Sequence, residues 1–180
     1  MRKFLWSLFE VIETVAIAVI AVILVRTFIA QPFLVSGSSL EPNFKDGDYL
    51  LVDELAYRFR EPSRGEVIVF KYPGDHKTYY IKRIIGLPGE RVVVRGDSVV
   101  IYGVDGEKKG LKESYTSGMS IQKDIDETLS ENEYFVMGDN RDFSYDSRSW
   151  GPLTRGDVTG VVKLRLWPFS EVSTFKPAIY

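Results

Sequence analysis

Residues 4–35 hold only three ionisable side chains, Glu10, Glu13 and Arg26, in an otherwise apolar run. A stretch that apolar on all sides needs either a protein core or lipid around it. Its uncharged centre, residues 14–25, is 12 residues long, about 18 Å as helix, against the ~30 Å of a bilayer core. Alone, that centre is too short to span. A helix over residues 9–29 reaches across if Glu10 and Glu13 lie in one headgroup region and Arg26 snorkels toward the other. Two other readings compete. A cleavable leader has a basic start, like Arg2 and Lys3, but no small-x-small site follows, since Phe28 stands two residues before Ala30. A buried helix of a soluble domain ordinarily shows a polar face, which this segment lacks. The expectation is therefore a membrane anchor within residues 1–30. The basic start favours an N-terminus inside the cell, with residues 31–180 on the outer face.

The remaining residues, about 150, suffice for one domain with a real core. The net charge of −2 offers no basic face for nucleic acid. With no cysteine and one histidine, thiolate and histidine-cluster metal sites are excluded, and no cofactor is implied. That histidine sits in the turn Pro73-Gly74-Asp75-His76-Lys77 and reads as a solvated loop residue rather than a base.

Pro32 ends the helix near Ala30, because proline lacks an N–H and restricts its predecessor. Strands are expected at 49–52, 66–72, 79–85, 91–94, 99–102, 134–137 and 158–166. All are rich in Val, Ile, Tyr and Phe and separated by Gly, Asp and Pro turns. Arg95-Gly96-Asp97-Ser98 reads as a hairpin. Residues 54–60 suggest a short helix or an irregular strand extension. Residues 103–133 are polar without sustained periodicity, a mobile excursion or a small sub-domain inserted into the sheet. The fold class is mainly β: an antiparallel β-rich catalytic domain with a small insertion, tethered by one N-terminal transmembrane helix.

Two segments carry chemistry. In Val35-Ser36-Gly37-Ser38-Ser39-Leu40-Glu41-Pro42, Gly37 relaxes the backbone before Ser39 and Pro42 turns it afterwards, which exposes a serine hydroxyl. By itself this is what a linker after a membrane helix looks like. In Tyr79-Tyr80-Ile81-Lys82-Arg83-Ile84-Ile85, aromatic and branched neighbours can dry one face of a strand around Lys82. Burial disfavours the ammonium and turns lysine into a usable base for serine, whereas an ordinary strand lysine points to solvent. Arg83, on the opposite face, fits the solvent-facing description better. A third segment, Met137-Gly138-Asp139-Asn140-Arg141-Asp142-Phe143-Ser144-Tyr145-Asp146-Ser147-Arg148-Ser149-Trp150-Gly151, has balanced charges. It is either a solvated loop or a paired, hydrogen-bonded floor under a site.

Taken in order, the anchor, the Ser39 turn, Arg64-Gly65-Glu66-Val67, the Lys82 strand and the 138–151 loop resemble the bacterial type I signal peptidases. Only residues 103–133 lie outside recognisable motifs. The resemblance implies that Ser39 is the nucleophile and Lys82 the general base. It further implies that Ser144 hydrogen-bonds the lysine amine while Asp146 and Arg148 pair beneath the site. It implies a β-rich core with an extended apolar groove. The implied partners are the lipid bilayer and exported preproteins, cut after a small-x-small motif such as Ala-x-Ala at the outer face of the cytoplasmic membrane. The chain departs from the family pattern at Leu40, where methionine is usual, at Asn43 for threonine, and at Phe143 for asparagine. Gly37 stands where some members place an oxyanion-binding serine. That role then falls to the Ser39 backbone amide and a second donor, another amide or a serine hydroxyl. Ser36-Gly37-Ser38 also copies a form of the motif that nominates Ser38, but the spacing to Pro42 selects Ser39.

Other readings fare worse. Ser120-Ile121-Gln122-Lys123 fits the Ser-x-x-Lys pattern but lacks the companion motifs of penicillin-binding enzymes. The α/β-hydrolase elbow is absent. Self-cleaving repressors would need a DNA-binding helix-turn-helix. A non-catalytic, membrane-tethered β domain remains the alternative, with Trp167-Pro168-Phe169 and residues 28–35 as an apolar surface. In an enzyme the same aromatics would seat the domain on lipid. The blander expectation for Trp167 is internal packing.

Overall fold

The computed structural model describes residues 2–28, 30–118 and 124–180, so the Ser120–Lys123 candidate falls outside the described residues. A helix α1 (Arg2–Phe28) is followed by β1 (Ala30–Leu34), with Pro32 inside the strand rather than the helix. Proline is tolerated there because β1 is the edge strand of its sheet. Among the described residues no helix is long and apolar enough to cross a membrane. The acidic pair Glu10 and Glu13 interrupts the apolar run of α1, as the sequence anticipates. The helix nevertheless exposes Trp6, Phe9, Ile12, Val15, Val19 and Val22.

The rest is antiparallel β. The strands are β2 (Tyr49–Asp53), β3 (Val67–Lys71), β4 (Tyr79–Gly86), β5 (Arg91–Arg95), β6 (Ser98–Tyr102), β7 (Lys108–Gly110), β8 (Ile125–Thr128), β9 (Glu133–Met137), β10 (Leu153–Thr154), β11 (Val158–Trp167) and β12 (Ser173–Thr174). One large sheet runs β1-β2-β11-β3-β4-β9-β10, with β12 on the far part of β11. A second sheet runs β7-β6-β5-β8. The expected hairpin joins β5 to β6 in the register Arg95 to Ser98. Residues 103–133, read from sequence as an excursion or sub-domain, supply β7 and β8 to this second sheet. Polar strands of three and four residues carry too little periodicity to be read in advance. Between β2 and β3 only a single turn of 3-10 helix forms, at Ala56–Arg58.

Period-two alternation gives the large sheet two apolar faces. Ile68 and Phe70 of β3 pack with Ile84, Val136, Leu153 and Val161 on one side. Val67 and Val69 pack with Val35, Leu40, Phe44, Val52 and Val162 on the other. A third cluster, including Ile85, Val92, Val99, Ile101 and Met137, joins the two sheets. Two sequence expectations are corrected here. Arg83 does not face solvent. It is 6% exposed, because residues 113–118 of the insertion and the C-terminal tail cover its side of β4. Trp167 does not pack internally. It is 48% exposed at the end of β11, edge-to-face with the still more exposed Phe169, since the chain leaves the sheet at Pro168.

Candidate active site

The segment after β1 makes the first wall of the site. Gly37 has φ +95°, a left-handed conformation that glycine alone adopts without strain, and its N–H donates to Asp46 Oδ1 at 2.8 Å. The chain then coils tightly. Glu41 N–H donates to Ser38 O, and both Asn43 and Phe44 N–H donate to Leu40 O. Leu40 and Phe44, each 1% exposed, root this turn in the core. Ser39 therefore sits on a rigid support while its side chain faces a cleft of about 560 Å3. The cleft is lined along one side by residues 33–38 and along the other by residues 78–81, with Phe143 and Tyr145 at its rim.

Lys82 approaches from β4. It is 5% exposed, and its Nζ donates to Ser39 Oγ at 2.8 Å and to Ile81 O at 2.9 Å. The ring of Tyr80 lies 5.5 Å from the same nitrogen. Burial pushes the lysine down to about 8, against the opposing pull of the Asp146 and Asp139 carboxylates, and the Arg148 guanidinium lowers it slightly further. The water-excluding face read from the sequence is thus the face on which Lys82 lies.

The loop after β9 forms the floor. Asp146 accepts from Arg148 Nε and Nη2, each at 2.8 Å, with both side chains fully buried. It also accepts from Gly138 N–H at 2.9 Å and caps the short helix α2 (Ser147–Trp150). Arg148 in turn donates to Arg141 O. Ser144 is buried, and Gly138 lies between it and the nucleophile turn, so tightly that a Cβ at 138 would collide with Ser144 Oγ and Ser39 O. Of the residues named from the sequence, Ser39, Lys82, Ser144, Asp146 and Arg148 gather at one place. Ser38 also lines the cleft, but the lysine bond goes to Ser39. His76 lies apart on an exposed turn with its Nδ1 on Asp157.

Several contributors were not singled out from the sequence. Asn140 donates its N–H to Ser39 O and its Nδ2 to Ser38 O, each at 3.1 Å, clamping the nucleophile turn to the floor. Its place inside the 138–151 motif was a usable signal. Arg83 makes a bidentate bond to Asp139, at 2.8 and 2.6 Å, directly behind Lys82. Asn43 donates to the same carboxylate. No local pattern announces pairs whose members are 56 and 96 residues apart. The Ser39 N–H points to no acceptor among the described residues.

A buried amine against a serine hydroxyl, beside an elongated cleft, fits the hydrolases that work without histidine or metal, and comparison with known proteins narrows the class. The sequence model of the signal peptidase family, peptidase S26, matches residues 8–167. Signal peptidase I of Bacillus licheniformis is 36% identical over 173 residues, covering 92% of each chain. A probable signal peptidase I-2 of Synechocystis is 37% identical over 169 residues, 91% of this chain and 75% of that one. A crystal structure of a signal peptidase I from Enterococcus faecalis is 33% identical, covers 57% of this chain and 97% of its own, and has a TM-score of 0.47. The protein is a peptidase. It belongs to the signal peptidase family, whose activity is the removal of signal peptides.

Proposed function

We propose that the protein is a membrane-bound serine endopeptidase that cuts exported preproteins after a small-x-small site, with Ser39 as nucleophile and Lys82 as general base. The observation that carries this is the 2.8 Å approach of Lys82 Nζ to Ser39 Oγ, with the amine buried. At an ordinary pKa near 10.4 less than about a thousandth of a lysine is neutral at pH 7, whereas at about 8 roughly a tenth is. The neutral amine takes the Ser39 proton as Oγ attacks the scissile carbonyl. The Ser39 N–H, which has no intramolecular acceptor among the described residues, receives the oxyanion. A hydroxyl of Ser36 or Ser38, both in the cleft wall, is the available kind of second donor. The lysine ammonium then protonates the leaving amine and, neutral again, draws a proton from the water that releases the acyl-enzyme. The two bonds of Lys82 Nζ go to Ser39 Oγ and Ile81 O, so the orienting role of Ser144 rests on the family resemblance alone, with the Asp146–Arg148 pair fixing the loop that carries it.

Two open strand edges favour an extended substrate. The outer edge of β1 is unpaired among the described residues. Residues 79–82 of β4 pair with β3 only, because the register with β9 begins at Arg83. A peptide lying between them meets Ser39 and Lys82, which line the same cleft as Tyr80 and Ile81. The exposed apolar surface of α1 supports a bilayer anchor, with Glu10 and Glu13 at one interface. The catalytic domain then faces outward. Leu34, Tyr49 and Trp167 occupy one cross-strand row, with Phe169 beside it, and supply an apolar edge for lipid.

The test is purified protein with a preprotein bearing Ala-x-Ala. Cleavage at that site, lost in folded Ser39→Ala and Lys82→Ala variants but kept in Ser38→Ala, is the expected result. No cleavage across detergents and pH would leave a tethered binding domain instead.

A further inference from the structure

The insertion between β6 and β9 returns to the site after β7, and residues 113–117 bond the segments behind the nucleophile. Ser117 N–H donates to Asp139 O and Ser117 O accepts from Arg141 N–H, both at 2.9 Å, while Ser117 Oγ donates to Glu41 O at 3.0 Å. One residue thus ties the turn bearing Ser39 to the loop bearing Asn140, which itself holds Ser39 O. Four residues earlier, Glu113 makes a buried bidentate bond to Arg141 at 2.9 and 2.7 Å. Between them, Tyr115 O accepts from Asn43 Nδ2 at 2.7 Å, the same amide that donates to Asp139. The Tyr115 ring lies 4.2 Å under the Arg83 guanidinium, and its hydroxyl meets Glu113 at 2.7 Å and the Tyr180 hydroxyl at 2.6 Å. The tail carrying Tyr180 is itself held by Ala178 N–H on Gly65 O.

We propose that residues 113–118 form a strap that holds the Ser39 turn in register with Lys82, with Tyr115 and Ser117 as positioning residues for the reaction. No residue of the strap lines the cleft, so it has no direct hold on the substrate. Besides Tyr180, its bonds go to Glu41, Asn43, Asp139 and Arg141, on the two segments that must stay fixed for Ser39 Oγ to remain within about 3.2 Å of the amine during proton transfer. The Tyr115 ring does a second thing. It covers the Arg83–Asp139 pair, the charged couple directly behind Lys82, and keeps water from it. The charges that Lys82 feels are Asp146, Asp139 and Arg148, with Arg83 next to it in β4. Water entering beside Asp139 would reach the surroundings of the amine from behind β4 and ease the burial that keeps it neutral, which outweighs the screening of Asp139 because burial is the larger influence on Lys82. The strap matters only if Ser39 and Lys82 react as proposed, so the test includes Ser39→Ala.

Full-length protein in detergent, with the Ala-x-Ala preprotein, gives kcat, KM and the pH dependence of kcat/KM for each variant. For Tyr115→Leu, kcat should fall about tenfold or more, as expected for a misplaced reacting group, with KM within about twofold. The rising limb should move upward by about half a pH unit or more. Tyr115→Phe, which keeps the ring, should recover most of kcat and return the limb. Ser117→Ala should lower kcat several-fold (about threefold or more) with the limb in place. An unchanged kcat in Ser117→Ala overturns the proposal, whether or not Tyr115→Leu folds. So does a loss that appears in KM, or one restored by a stabilising osmolyte. If Ser39→Ala cleaves as well as the parent, the dyad itself is wrong. A dead Ser39→Ala beside unaffected strap variants condemns the strap alone.

Discussion

At Lys82 stability and chemistry pull against each other. The residue sits at about 8 in the fold instead of 10.5, so the folded state resists holding the proton that the unfolded chain keeps. Below pH 8 both states are protonated and the burial penalty is fully present. Between pH 8 and 10.5 the folded state sheds its proton first, the unfolded state binds more, and stability rises with pH. Above 10.5 the penalty is gone. Replacing Lys82 by methionine removes the penalty at neutral pH while filling the same space. It should therefore abolish cleavage yet stabilise the fold by about 1–3 kcal/mol at pH 6–7, at ~1.4 kcal/mol per pH unit of displacement. The advantage should fade as pH approaches 10.5, which urea melts of the two proteins at several pH values would reveal. A Lys82→Met protein less stable than its parent at pH 6 would mean that the ammonium is better compensated than its surroundings suggest. In the active parent the same residue should give a rate that climbs from pH 6 and levels above about 8, and a flat profile would count against lysine as the base.

The decisive element is β4, because it turns two adjacent side chains to opposite sides and both remain buried. Lys82 faces the site, and Arg83 faces the Asp139 carboxylate and the tail. A buried pair like this is strongly destabilised when one partner goes, because the other charge is stranded. Asp139→Asn should lower stability by about 3–5 kcal/mol in denaturant melts. Replacing the pair together, Arg83→Met with Asp139→Leu, should be less damaging than the single change. If Asp139→Asn shifts stability by less than about 1 kcal/mol, the guanidinium has other compensation. The sequence made Lys82 legible because its neighbours Tyr80, Ile81 and Ile84 describe a dry strand. It made Arg83 illegible, since what buries Arg83 comes from residues 113–118 and 175–180, segments with no periodicity of their own. The large strands were readable for the same reason that Lys82 was, being Val- and Ile-rich and punctuated by glycine turns. β7 and β8 were not, because short polar edge strands are made by their neighbours rather than by their own pattern. Trp167 was misjudged by composition. A large aromatic usually packs inward, but here proline at the next position takes the chain off the sheet.

At the scale of the whole molecule, the question is how a compact β domain and a solvent-exposed apolar helix share one chain. α1 exposes large apolar side chains from Trp6 to Val22, and the row of Leu34, Tyr49 and Trp167 adds a second apolar surface on the domain. Water is a poor solvent for both, and a bilayer could receive both at once. The two should contribute differently. The helix buries far more apolar area and should govern whether the protein stays with lipid at all. The aromatic edge should govern how the cleft is presented to a substrate already in the membrane. Full-length protein should float with anionic vesicles through a sucrose gradient and resist extraction by carbonate. Val19→Arg, a charge at the middle of α1, should weaken that retention by the ~2.5–3.5 kcal/mol that such a residue costs at a helix centre. Trp167→Ala combined with Phe169→Ala should still float. It should cleave a vesicle-bound preprotein more slowly than the parent while cutting a short soluble peptide at the parental rate. If the unmodified protein stays in the aqueous fraction, the anchor is wrong. If the double variant loses both substrates equally, the aromatic edge holds up the fold and has no part in docking it to lipid.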